Sequence, residues 1–394
     1  MTAWRPQHYE KQGRDEKVDP AILANALASA DQIRAVSPTL PPVFTLAHLA
    51  HLTDTEYGVL RSIVERSPNE AYRLFRIRKR PSHDGETRFR TIAVPSTRLL
   101  KVQRWITQSI LKEVSPHSAS VAFSKGDTIY QAAEPHCGCV WLIKMDVRNF
   151  FESISEISVY RVFRSLGYQP LVSLEMARLC TRLGAYSRRR SSDRWKARSW
   201  QWTKIKAYQV YRSADAYGPS IGHLPQGAPA SPMLANLAMR RFDAAVTVVA
   251  RRHGLTYTRY ADDLTFSTSD ETFSRKRCSV VIDEVYRQLE RADLSPNVTK
   301  TKVSPPGSRK IVLGLLVDGA EPRLTRAFRA LMRQHLHYLQ RHDVGPVLHA
   351  RARGFISVVG FRNHLTGLAT YARQIDKAYG EGLLRALDAV AWPL

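Results

Sequence analysis

Two adjacent aspartates, Asp262 and Asp263, stand between the apolar stretches 255–259 and 264–267 of a 394-residue chain. The flanks alternate as half-buried strands do, so the segment reads as a β-hairpin with Tyr260-Ala-Asp-Asp263 at its turn. Asp is depleted in strands. Two carboxylates roughly 4 Å apart repel by about 4 kcal/mol at an effective dielectric near 20. A fold that keeps such a pair must offset the repulsion, and a divalent cation is the direct means. The pattern predicts a nucleotidyl-transfer site whose third acid comes from elsewhere in the chain.

That third acid is Asp146, which closes the apolar run Val140-Trp-Leu-Ile-Lys-Met-Asp-Val147. An Asp in a surface turn is the alternative for this position taken alone. Two metal ions about 3.5–4 Å apart can clamp the attacking and leaving oxygens of an in-line phosphoryl displacement. Acids on neighbouring strands supply that geometry rigidly. Between the two acidic segments lies Leu224-Pro-Gln-Gly-Ala-Pro-Ala-Ser-Pro232. Gly227 would let backbone approach a ligand closely, and Gln226 projects from a stiff, Pro-bounded loop. Asn297-Val-Thr-Lys-Thr301 follows. It places Lys300 where a proton donor or phosphate partner could stand, a solvated charge being the alternative.

Charge narrows the partners. Lys and Arg number 59 against 35 Asp and Glu, a formal charge of +24, which points to a polyanion. No apolar run approaches 18 residues, so no membrane span is expected, and the polar N-terminus is not a signal peptide. Four cysteines suggest a reducing compartment, hence the cytoplasm. His136-Cys-Gly-Cys139 lacks a second Cys pair and reads as buried thiols rather than a zinc site.

Residues 1–18 are polar and read as frayed, and 20–63 as helices broken at Ser37-Pro38 and Pro41-Pro42. Residues 73–94 read as a hairpin with one cationic face. A helix is predicted over 99–114 and a strand over 140–147. Ser153 and Glu156 have capping-box spacing for a helix to about Gly167. Ser231-Pro232 reads as the start of a helix running to about His253. Residues 275–292 read as a helix, 311–317 as a strand, and 322–394 as mostly helical. The basic stretch 188–198, with Trp195 inside it, suits phosphate contacts and base stacking, or is a solvated loop. Arg323, Arg326, Arg329 and Arg333 have a spacing that could track a duplex backbone.

The segments Lys144-Met-Asp-Val-Arg-Asn-Phe-Phe151, Leu224-Pro-Gln-Gly-Ala-Pro-Ala-Ser-Pro-Met-Leu-Ala-Asn236 and Tyr257-Thr-Arg-Tyr-Ala-Asp-Asp-Leu-Thr-Phe-Ser267 resemble, in order and spacing, those of reverse transcriptases, most closely the bacterial retron enzymes. Arg90-Thr-Ile-Ala-Val-Pro95, Leu99-Leu-Lys-Val-Gln103, Phe123-Ser-Lys-Gly126 and Lys300-Thr301 also fit. The similarity is clear over about 72–320 and looser beyond. It implies an α+β right-hand polymerase: an N-terminal helical extension (1–70), fingers (71–135), a ferredoxin-like antiparallel palm (136–320) with a basic insertion around 187–213, and a helical thumb (321–394).

Position by position, the resemblance implies that Asp146, Asp262 and Asp263 hold two Mg²⁺ ions, with the carbonyl of Val147 assisting. Phe151 would be the aromatic gate that excludes a ribose 2′-OH and so selects dNTPs. Gln226 and Gly227 would meet the nucleotide, Lys79, Arg80 and Arg90 are candidates for its triphosphate, and Lys300 would donate a proton to pyrophosphate. Gly314 would lie where the primer end is gripped, and Arg188, Arg189, Arg190 and Trp195 would touch nucleic acid. The implied partners are a structured non-coding RNA, its RNA–DNA product (msDNA in a retron) and an effector protein in anti-phage defence. Two departures bear on lineage. Ala132-Ala-Glu-Pro-His136 replaces the retron Asn-Ala-x-x-His, and Val312-Leu-Gly314 replaces Val-Thr-Gly. They leave open another defence-associated or group II intron-like reverse transcriptase. Alternatives of another class are a nucleic-acid-binding scaffold in a defence complex and, more weakly, an RNA-copying RNA polymerase.

Overall fold

The computed structural model describes residues 4–66, 71–78, 89–124, 126–183 and 221–393. Its centre is a four-stranded antiparallel sheet of β3 (Trp141–Asp146), β4 (Thr256–Tyr260), β5 (Asp263–Thr268) and β6 (Lys302–Ser304), in the spatial order β4-β5-β3-β6. Helices Glu156–Ser165 and Pro170–Cys180 follow β3, and Arg275–Arg291 joins β5 to β6. This β-α-β-β-α-β path with an antiparallel sheet is the ferredoxin-like arrangement. The sheet is covered by one apolar core that includes Ile143, Met145, Leu264, Phe266, Val281 and Val285.

Strands β1 (Tyr72–Arg78) and β2 (Phe89–Pro95) pair antiparallel. Their basic residues do not share one face. Register opposes Ile77 to Arg90 and Arg76 to Thr91. Since Arg73 and Arg76 are three apart, they point to opposite sides of a strand of period two. Lys79 and Arg80 lie outside the described residues, as do Arg188, Arg189, Arg190 and Trp195 of the basic insertion.

A second apolar core gathers Val312, Leu315, Leu324, Met332, Phe361, Leu365 and Leu383. It joins three two-residue strands (Ile311–Val312, Leu315–Leu316, Arg323–Leu324) to helices Arg326–Gln340, Gly345–Ala352, Val358–Ile375 and Lys377–Asp388. No helix among the described residues is long and apolar enough to cross a membrane.

Several sequence expectations are corrected. Residues 6–15 are a helix rather than frayed chain. Trp4, Tyr9, Phe44 and His48 form a ring cluster beside it, and Gly13 is packed so closely on Leu23 that a Cβ would overlap it. The cap of helix 156–165 is Ser155, which accepts from the Ser158 N–H at 3.1 Å, and not Ser153. Glu156 instead spends its carboxylate on Arg66 and on Arg178. The helix expected to run to His253 divides into Ser231–Ala238 and Arg240–Arg252, and its first residue is Ser231, so Ala230 holds the cap position. The strand expected over 311–317 turns back on itself. Leu313 (φ 48°) and Gly314 (φ 89°) form a two-residue turn with positive φ at both positions, the tight hairpin geometry that glycine favours. Arg329 is paired with Asp376 at 2.7 Å, and Arg323 sits on a strand, so the four arginines are not one free helical stripe.

Candidate active site

The acid-bearing hairpin is built by sterics and pairing. Tyr260 opposes Asp263 in the ladder, leaving Ala261 and Asp262 as the turn. Ala261 has φ 54°, as such two-residue turns require. On the other side of β5, Asp146 is the register partner of Asp263. The N–H of Val147 donates to the carbonyl of Asp262 at 2.9 Å. Sheet register thus brings the three acids together from 116 residues apart along the chain, and all three line one cleft of about 590 Å³.

The acids are inequivalent. Asp146 accepts from Lys300 Nζ at 2.6 Å and from Asn297 Nδ2 at 2.8 Å. The Asn297 N–H also donates to the Asp146 carbonyl at 2.7 Å. Asp262 is pushed up to about 6, first by burial and then by the charges of Asp263 and Asp146. Asp263 is raised too, chiefly by burial, with Asp146 adding to it and Lys144 opposing it. Hard carboxylate oxygens crowded to this degree suit Mg²⁺ by donor type. Among the described residues, no three His, Cys, Asp or Glu side chains are close enough to share one ion as they stand, and the Asp146 carboxylate is engaged by Lys300.

Arg90, Lys144 and Lys302 line the same cleft. Lys144 and Lys302 are register partners, and Lys144 shares its strand face with Asp146 by the period of two. The cleft therefore sets cations beside acids, as a triphosphate needs. Gln226 and Gly227 are not among the residues that line the cleft; their loop packs on β2. The carbonyl of Gln226 accepts from the Ala93 N–H of β2 at 2.8 Å. Gly227 has φ 106°, and a Cβ there would stand 2.6 Å from Ile92 Cγ2. Glycine is thus required by the close approach of β2. Phe151 is half-buried, its ring 5.4 Å from Phe150 and 6.5 Å from Phe123, which lies 6.1 Å from Tyr260. Gly314 is not in this cleft; it lies in the 311–316 turn near Tyr371.

On the sheet face that carries Asp146 and Asp263 by the same period of two, His136 bridges the hairpin strands, with Nδ1 2.7 Å from Ser267 Oγ and Nε2 2.7 Å from Thr258 Oγ1. Burial pulls its pKa down to about 4. Sequence reasoning gave no role to Asn297, Lys144 or Lys302. Strand alternation from Asp146 was the signal for Lys144; Asn297 and Lys302 depend on pairing across the sheet.

An antiparallel palm carrying three acids at one end of its two central strands, flanked by a strand pair and a helical bundle, defines a right-hand nucleic-acid polymerase. Comparison narrows the class. The profile of the family described as "Reverse transcriptase (RNA-dependent DNA polymerase)" matches residues 77–339. The Retron Ec86 reverse transcriptase of Escherichia coli is 29% identical over 346 residues, covering 88% of this chain and 93% of that one. The Retron Mx65 reverse transcriptase of Myxococcus xanthus is 28% identical over 355 residues, covering 90% and 74%. The Retron Mx162 reverse transcriptase of the same organism is 29% identical over 316 residues, covering 78% of this chain but 59% of its own length. The chain belongs to the reverse transcriptase family, with retron enzymes among its relatives, and is an RNA-directed DNA polymerase.

Proposed function

We propose that this enzyme copies a structured non-coding RNA into a short DNA that stays joined to it, as msDNA, and that the product serves anti-phage defence together with an effector protein. The chemistry is nucleotidyl transfer from a dNTP to a primer 3′-OH at the Asp146–Asp262–Asp263 cluster. The observation that carries this reading is the convergence of the three acids with Lys300 in one cleft. Asp146, Asp262, Asp263 and the Val147 carbonyl would hold two Mg²⁺ ions, which when bound supply charge neutralisation and polarise the reacting oxygens. Lys300 protonates the departing pyrophosphate, while Arg90, Lys144 and Lys302 receive the triphosphate charge. Phe151 closes the pocket against a 2′-OH, and Gln226 and Gly227 border the nucleotide. The turn at Gly314 faces the primer end.

The direct test is primer extension on an RNA template with the parent protein and Asp262→Ala. Loss of extension in the variant is expected, because the crowded acid cluster loses its most perturbed member; residual parental activity refutes the site. Treating the copurified nucleic acid with RNase and with DNase tests the wider reading. A branched RNA–DNA species supports a retron product, and protein free of nucleic acid favours another lineage of reverse transcriptase.

A further inference from the structure

Arg259 is the largest fully buried side chain of the molecule as described, although it lies on the strand that carries the catalytic turn. Taking a guanidinium out of water is costly, and a buried ion pair is weak evidence for stability, since apolar residues of similar volume often serve as well. What Arg259 touches explains its presence. Nε and Nη2 donate to the two oxygens of Asp243 at 2.8 and 2.7 Å. Asp243 is itself fully buried and also accepts from the Tyr257 hydroxyl at 2.9 Å. Nη1 donates to Asn236 Oδ1 at 3.0 Å and to the Ala261 carbonyl at 3.1 Å. The guanidinium carbon lies 5.9 Å from the Phe150 ring centre.

These contacts reach each of the three segments that define the site. Ala261 immediately precedes Asp262 and holds the left-handed φ of the turn. Phe150 precedes Phe151 and follows Asp146 by four positions. Asn236 lies on the helix that begins four residues after Gly227, and its own amide donates to the Ala122 carbonyl at 2.6 Å, next to Phe123. Asp243 orients the guanidinium as a two-pronged acceptor, leaving Nη1 for the site. Lysine, a point donor, could not reproduce this fork.

We infer that Arg259 is a positioning residue that sets the acid turn, the nucleotide-side helix and the Phe150–Phe151 segment relative to one another. The inference rests on the proposed site, so Asp262→Ala is assayed beside the Arg259 variants. Activity surviving in Asp262→Ala defeats the site reading, whereas the Arg259 variants report on the positioning itself. The informative variants are Arg259→Lys, which keeps a cation for Asp243, and the double variant Arg259→Met with Asp243→Leu, which leaves no buried charge unpaired. Each is measured by thermal melting, primer–template affinity, and kcat and KM for dNTP.

Both variants are expected to melt as folded proteins and to bind primer–template as the parent does. Their kcat should fall about a hundredfold, the scale of a misplacement of about 1 Å at reacting groups, with KM for dNTP changing far less. A folded variant with parental kcat overturns the inference. So does a loss of kcat matched by an equal loss of folded protein, or failure of both variants to fold, since each assigns Arg259 to stability alone.

Discussion

Replacing Gly227 by alanine isolates the contact between the loop proposed to border the nucleotide and strand β2. The added Cβ would lie 2.6 Å from Ile92 Cγ2 and 3.3 Å from the Ala93 carbonyl oxygen. Carbon atoms prefer about 3.5–4.0 Å, so loop and strand must separate by about 1 Å. The φ of 106° adds a backbone cost of about 1–3 kcal/mol for a residue with a side chain. The separation also stretches the hydrogen bond from Ala93 N–H to the Gln226 carbonyl, 2.8 Å in the parent. In a loop proposed to border the nucleotide, a displacement of that size costs up to about a hundredfold in turnover. Primer extension at varied dNTP should show kcat/KM falling about ten- to a hundredfold, while the melting temperature drops by only a few degrees. Ile92→Ala in the same chain removes the Cγ2 collision but not the φ strain, so the double variant should recover part of the activity. Gly227→Ala with parental kcat/KM, or a double variant no better than the single, would refute the steric argument.

Three further outcomes are expected. Phe151→Val should admit ribonucleotides, because the aromatic bulk proposed to meet a 2′-OH is gone; unchanged dNTP over rNTP preference in single-turnover incorporation removes the gate role. His136, held neutral with a pKa near 4 against about 6.5 when unfolded, binds its proton more readily in the unfolded chain. Its contribution is therefore intact above pH 6.5 and declines as pH falls toward 4, by about 2 kcal/mol at pH 5. Urea midpoints of the parent should drop between pH 7 and 5, and those of His136→Gln should drop less; equal slopes dismiss the histidine as the source. Neutralising Arg188, Arg189 and Arg190 together should weaken RNA binding and flatten its dependence on salt, whereas an unaltered slope means these residues make no phosphate contact.

The acid-bearing hairpin was legible because two local signals coincide there, the strand alternation and an acid pair that alternation cannot explain. The strand ending in Asp146 was legible for the same reason. What escaped was decided by partners far along the chain. The 6–15 helix looks too polar to hold itself, and its anchors are Phe44 and Leu23, outside its own window. Glu156 matched a capping box locally, yet its carboxylate serves Arg66 and Arg178, 90 and 22 residues away in sequence. Arg76 and Arg78 share one side of β1, and register sets Arg90 opposite Ile77, on the other side. Arg259 reads in the sequence as an ordinary polar strand position, and only Asp243 on a neighbouring helix makes its burial tolerable. Sequence periodicity thus reports which face a residue takes, and charge partners arrive with tertiary packing.

The asymmetry among the three acids bears on how the cleft works. Asp146 is buried yet has a cation and an amide on its two oxygens, whereas Asp262 and Asp263 form no ion pair with the described residues and are raised, Asp262 by burial and the charges of Asp263 and Asp146, Asp263 by burial and the charge of Asp146. The unbalanced negative charge therefore sits at the turn, on the side of Asp146 away from Asn297. Lys300 carries three N–H donors; one holds Asp146 at 2.6 Å, and the proposed acid role draws on another, so the lysine can protonate pyrophosphate without leaving a buried carboxylate unpaired, which would be costly. Its side chain is 60% exposed while that of Asp146 is 8% exposed: the lysine reaches toward solvent, and the aspartate, fixed through its own carbonyl to Asn297, stays where sheet register put it.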